Sequence, residues 1–241
     1  MTTETVLRDK LATCTRIFAM QEMIGLFGHI SAYDPSTQRV YLSPGMGAEK
    51  STAAAGDMMV SDLDGKILEG GERLAAEWPI HTVLHGSRSD ALAVAHLHAP
   101  YSTLFSISER PFRPVTLQGS IFDGEIPLYT EPQLVRSIAQ GQSLARVLGD
   151  RPALFMRGHG IVVVARDVEQ MMFCSLALED EARKQVEAAT LGAYHCLTHH
   201  ECEAFEGKQA LPDRAQRAWS YYCKLEHRWD KNPGTGRVPF V

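Results

Sequence analysis

The chain has 241 residues, of which 44% are hydrophobic and 22% charged, a balance that excludes a disordered polypeptide and is enough to bury a sizeable core. Its formal net charge of -5, without a long Lys/Arg run, gives no electrostatic footprint for nucleic acid or an anionic membrane, so a small-molecule partner is expected. No stretch approaches the roughly 20 apolar residues of a bilayer span, the opening MTTETVLRDK is too polar for a secretory signal, and the five scattered cysteines form no CxxC pair, so a cytoplasmic protein with reduced thiols is expected.

No internal repeat or linker divides the sequence, and a single domain over 1–241 is expected, with a loose tail over 232–241 and a loose Ala/Gly-rich run at Ala53 to Gly56. Val6, Leu7, Leu11, Ile17 and Phe18 recur at largely helical spacing and predict an amphipathic helix from about Glu4 to Met23. Short apolar runs at Val40 to Leu42, Met58 to Leu63 and Ala91 to His98 each stop at turn residues and read as strands. Pro79 suits the first turn of a helix running to about Arg88. Further helices are expected from Glu131 to Leu148 and from Val168 to about Ala189. Between them, Ala153 to Met156 and Ile161 to Ala165 form two strands around a Gly-flanked turn. The mixed order of elements argues against a regular βα alternation and for a central, largely antiparallel sheet with helices around it.

His96-Leu97-His98 ends an apolar run, and strand alternation sends residues two apart to one face, so both imidazoles can point at one ion. The same pair also fits two polar residues on a half-exposed strand. His159 lies between glycines, where a turn can bring an imidazole against another element or simply carry an incidental histidine. Three neutral imidazoles leave an open position on zinc or manganese. Glu77 stands just ahead of the Pro79 helix, where it can shuttle a proton beside a metal, act as a fourth ligand while the site is empty, or merely answer the helix dipole. His81 follows four residues later and either orients that carboxylate or is a structural helix histidine. The run Tyr194 to His200 lacks a supporting pattern and is left out of the site.

Gly28-His29-Ile30-Ser31, Leu42-Ser43-Pro44-Gly45, Glu77-Trp78, His96-Leu97-His98-Ala99-Pro100 and Gly158-His159-Gly160, in this order, resemble the class II aldolase/adducin family from about Leu7 to Gln185. The resemblance implies a three-layer α/β/α fold with a mixed, largely antiparallel sheet, assembled as a homotetramer. It also implies one divalent ion per chain, Mn2+ or Zn2+, held by His96, His98 and His159, with Glu77 as the acid/base. Sugar-phosphate aldolases of the family carry Asn in the GNxS motif and two serines ahead of the glutamate, which help hold phosphate; here the positions are His29, Ala75 and Ala76. A buried phosphate left unpaired there is costly. Gln118 occupies the place aligned with the aldolase proton-donor tyrosine.

These departures favour the branch resembling hydroxyaromatic and hydroxypyridine carboxylate decarboxylases. Decarboxylation shares with retro-aldol cleavage the problem of stabilising electrons left by a broken carbon-carbon bond. The expected substrate-binding residues are His29, Ser43, Gln118, Arg157 and Tyr222. Arg113 is an alternative partner for a second carboxylate, Trp78 and Phe122 either suit a flat ring or are plain core, and Tyr221 is an alternative to Tyr222. The C-terminal WSYYCKLEHRW segment either completes a neighbour's site or packs as a helix. Two other functions remain open on this reading: an aldolase for an unphosphorylated hydroxy-keto compound or sugar, and a non-catalytic adducin-like assembly module.

Overall fold

The computed structural model describes residues 3–45, 47–205 and 207–231; the tail expected over 232–241 lies outside the described residues. In chain order the elements are α1 (Thr3–Met20), β1 (His29–Asp34), β2 (Arg39–Leu42), β3 (Met59–Ser61), β4 (Ile67–Glu69), α2 (Trp78–Ser87), β5 (Ala93–Leu97), α3 (Ser102–Phe105), β6 (Leu128–Tyr129), α4 (Ile138–Leu148), β7 (Ala153–Met156), β8 (Gly160–Ala165), α5 (Val168–Thr190), α6 (His199–Ala204) and α7 (Leu211–Lys231). The strands form one eight-stranded sheet in the order β4-β3-β2-β1-β5-β8-β7-β6. Every pairing is antiparallel except β6 with β7. The expected mixed, largely antiparallel sheet is therefore the one observed.

Strand alternation sorts the side chains into two layers. Ile30, Ala32, Ala93, Ala95, Leu97, Ile161 and Val163 face a core closed by α1, α5 and α7. Val94, Leu154, Met156, Val162 and Val164 face the opposite side, covered by Ile80 and Leu84 of α2 and Leu144 and Leu148 of α4. Each fully buried residue of this size contributes about 1.5–3 kcal/mol before chain entropy is counted. On β1 the second face carries His29 and Ser31 instead of aliphatic residues, and α2 answers them with His81 and His85. A polar seam thus runs through an otherwise apolar layer.

The helix expected from Glu131 starts only at Ile138. Pro132 disfavours helical backbone in the residue before it, and Ser137 closes a capping box: its hydroxyl accepts the Gln140 amide while Gln140 Oε1 accepts the Ser137 amide at 3.0 Å. The segment 131–137 is thereby free of helix and reaches the site. β1, β4 and β6 were not among the expected strands; β4 and β6 are three and two residues long and lie at the sheet edges, where little apolar pattern is needed. The Ala53 to Gly56 run is held partly in a short 3-10 turn, Ala55–Asp57.

Candidate active site

β1 and β5 pair so that His29 lies directly opposite His96, both on the α2 side of the sheet. His98 follows β5, and His159 comes from the turn between β7 and β8. That turn depends on two glycines. Gly158 has φ +64°, a left-handed conformation, and a Cβ at Gly160 would collide with the Leu97 carbonyl, so only glycine lets β8 start against the end of β5. The Glu77 backbone caps α2 and its side chain turns inward, buried to 6% exposure.

These four side chains converge. Glu77 Oε2 is 3.3 Å from both His96 Nε2 and His159 Nε2, and the Nε2 atoms of His96 and His98 are 3.2 Å apart. The three rings are mutually steep, with interplanar angles of 67°, 70° and 77°. One ligand atom from each of His96, His98 and His159 lies within 4.8 Å of the others, and the same holds for His29, Glu77 and His96. A tetrahedral zinc with bonds of about 2.0–2.1 Å spaces its ligand atoms about 3.3 Å apart, close to the spacing of His96 from His98 and of Glu77 from His96 and His159.

The donor chemistry fits a cation as well. His96 Nδ1 donates to the Ile161 carbonyl at 3.1 Å, which leaves Nε2 with its lone pair toward Glu77. Two lone pairs at that distance need a cation between them or a proton shared. Burial, then the neighbouring His96 and His159, pushes His98 down to about 3, so its ring is neutral and able to ligate. Burial alone would raise the Glu77 carboxyl, but the close His159 and His96 rings and the hydrogen bond from the Val135 amide hold it well below the usual carboxylate range. It is ionised at neutral pH.

The cluster opens on a cavity of about 470 Å³ lined by Leu26, Phe27, Gly28, His29, Ala75, Ala76, Glu77, His98, Leu134, Arg136, Gly158 and His159. Phe27 stacks on His98 with centroids 5.8 Å apart. The walls are apolar, with one guanidinium at the rim.

Of the expected substrate-binding residues, only His29 lines this cavity. The Ser43 hydroxyl is buried and accepts the Ile30 amide at 3.0 Å, an internal brace between β1 and the end of β2. Gln118 accepts from the Thr116 hydroxyl at 3.2 Å within the 114–122 segment. Arg157 is exposed beside the turn and is not among the lining residues, and Arg113 lines a separate cavity with Pro111 and His199. Tyr222 is packed in the core on the far side of the sheet, because α7 lays its apolar face on α1 and α5; it belongs to this chain's interior. Phe122 is core against Phe112, and the Trp78 ring sits over Gly65. Missed by the sequence reading were Leu26, Phe27, Leu134 and Arg136. The last two were hidden inside the helix expected from Glu131, although Pro132 and the Ser137/Gln140 pair were readable signals for a later start.

A family model described as Class II Aldolase and Adducin N-terminal domain matches residues 9–186. A 3,4-dihydroxyphthalate decarboxylase of Arthrobacter keyseri is 29% identical over 198 residues, covering 77% of this chain and 79% of its own. Among solved structures, an aldolase II superfamily protein from Pseudomonas syringae superposes with a TM-score of 0.81 at 22% identity, over 95% of this chain and 94% of that one. An L-fuculose 1-phosphate aldolase from Glaciozyma antarctica PI12 gives 0.79 at 21% identity, over 95% and 91%. The match to the family model spans all eight strands of the sheet and all four residues of the cluster, and the chain belongs to the class II aldolase and adducin N-terminal domain family.

Proposed function

We propose that this chain is a divalent-metal-dependent carbon-carbon lyase that decarboxylates an ortho-hydroxylated aromatic or heteroaromatic carboxylic acid. The observation that carries the reading is the three-imidazole cluster with Glu77, set at the base of a cavity whose walls are Leu26, Phe27, Ala75, Ala76 and Leu134. Such walls suit a flat ring and offer a phosphate no side-chain donor beyond Arg136. The decarboxylase similarity supports the same direction.

His96, His98 and His159 would hold the ion, zinc or manganese. When bound, it supplies Lewis-acid stabilisation for the negative charge that develops as the carbon-carbon bond breaks. The chain's own residues do the rest. Leu134 and Phe27 hold the ring, and Arg136 pairs with a second carboxylate through its planar donor fork. Glu77 begins ionised, takes the proton of the substrate hydroxyl beside it, and returns a proton to the ring carbon. The departing carboxylate leaves as carbon dioxide, its bonding electron pair stays on that carbon, and the delivered proton completes the new C–H bond. The apolar walls keep bulk water from competing for that step.

The proposed assembly is a homotetramer, in which a neighbouring copy covers Leu26 and Phe27, exposed to 59% and 55%. The test is to load the protein with Zn2+ or Mn2+ and incubate it with 3,4-dihydroxyphthalate, following carbon dioxide release. Release that disappears on chelation supports the reading. An aldehyde from an unphosphorylated hydroxy-keto sugar, with no carbon dioxide from any hydroxyaromatic acid, would transfer the site to aldol cleavage.

A further inference from the structure

Behind the cavity, on the α2 side of the sheet, runs a chain of buried polar side chains that the proposed chemistry does not use. His29 Nδ1 lies 2.6 Å from His81 Nε2, His81 Nδ1 lies 2.6 Å from Ser31 Oγ, Ser31 Oγ lies 2.7 Å from His85 Nε2, and His85 Nδ1 lies 2.5 Å from the Ala91 carbonyl. His81 and Ser31 are wholly buried, His85 is 4% exposed and His29 7%. An uncompensated charge is disfavoured on rings this buried, and burial lowers His85, the ring farthest along the chain, to about 4, so it is neutral at neutral pH.

The far end of this chain dictates its near end. A carbonyl only accepts, so His85 carries its proton on Nδ1 and presents a bare Nε2. The Ser31 hydroxyl must donate to that nitrogen, and its oxygen then accepts from His81 Nδ1. With its proton on Nδ1, His81 accepts at Nε2 from His29 Nδ1. His29 is left with no proton on Nε2, the ring nitrogen turned away from His81 on a residue that lines the cavity. Four hydrogen bonds in series thus convert one backbone carbonyl into a fixed tautomer at the cavity wall.

We propose that His29 is a specificity-determining residue whose Nε2 accepts a hydrogen bond from a substrate hydroxyl, and that His81, Ser31 and His85 are positioning residues that hold it in that tautomer. This deepens the lyase reading and rests on it for the substrate class. An acceptor fixed in this way selects a free hydroxyl over a hydrogen or an ether at the same ring position, because neither of those can donate. An amide in place of His29 could offer donor or acceptor by turning over; the braced imidazole offers only the acceptor.

The test separates the relay from the substrate. Long-range 15N–1H spectra of the full-length, 15N-histidine-labelled protein without substrate report which nitrogen of each ring is protonated. The expected pattern is Nδ1–H for His29, His81 and His85. Nε2–H at His29 overturns the proposal, as does a shift of His29 Nε2 to a metal-bound position on adding Zn2+, which would make it a ligand. Ser31→Ala cuts the chain without touching the cavity, and a folded variant is expected to show His29 in both tautomers. In the Zn2+-loaded enzyme the preference for 3,4-dihydroxyphthalate over phthalate, measured by competitive binding, should then fall about tenfold. An unchanged tautomer and an unchanged preference in Ser31→Ala overturn the positioning role. The expected tautomers in a protein that binds neither aromatic acid would leave the relay standing and remove the aromatic substrate class instead.

Discussion

The Val135 amide donates to Glu77 Oε1 at 2.9 Å, so the acid ahead of α2 and the segment that brings Leu134 and Arg136 to the cavity are tied to each other. Only Oε2 remains to face His96 and His159. Glu77→Gln keeps a carbonyl oxygen for Val135 but can neither take up nor return a proton. Its turnover is expected to fall about 10²–10⁴-fold with little change in melting temperature. Turnover close to that of the parent protein would take Glu77 out of the proton transfer.

Metal content is checked most directly by elemental analysis. The purified protein should carry about one divalent ion per chain, and His96→Ala/His98→Ala should carry almost none. Chelation of the parent should abolish turnover, and Zn2+ or Mn2+ should restore it. Turnover that survives complete removal of the ion would end the Lewis-acid account.

Arg136 sets a prediction about the second carboxylate. Arg136 is exposed at the cavity rim, where an ion pair is worth about 0.2–1 kcal/mol, so Arg136→Met should lower kcat/KM for a dicarboxylic acid roughly 1.5- to 5-fold. A monocarboxylic hydroxy acid should lose much less. Equal losses for the two would show that the guanidinium does not read the second carboxylate.

The buried histidines make the fold sensitive to acid. Burial lowers the folded-state pKa of His29, His81 and His85 below an unfolded value near 6.5, so the unfolded chain takes up protons first. Their contribution is complete above about pH 6.5 and is lost as the pH falls toward 4, the region of His85. The urea midpoint is expected to drop between about pH 7.5 and pH 5. His85→Leu should start lower, because it strips Ser31 of a partner, and decline less steeply. Parallel slopes in the two proteins would mean that His85 does not contribute to the acid sensitivity.

Much of the candidate His/Glu cluster was legible because it depends on short-range geometry. His96 and His98 share a strand face by their spacing of two, and His159 is marked by its flanking glycines. The polar seam had a readable signature as well: Glu77, His81 and His85 recur every four residues along one helix face, and His29 and Ser31 alternate on one strand face. Each pattern is weak alone, and nothing local says that the two faces meet. Tyr222 shows the opposite error. Its aromatic neighbourhood suggested a residue reaching for a neighbour's site, whereas the amphipathic period of α7 turns that ring into the core of its own chain.

The layered, largely antiparallel α/β class, most of the central strands and long helices, and the candidate set His96, His98, His159 and Glu77 could be read from the sequence, since periodicity and glycine placement act over a few residues. The tertiary structure alone decided which residues line the cavity and which way the His29 imidazole is protonated. Both depend on contacts between segments far apart in the chain. Val135 reaches Glu77 across 58 positions and His29 reaches His81 across 52, and a hydrogen bond's direction is set only once both partners are in place.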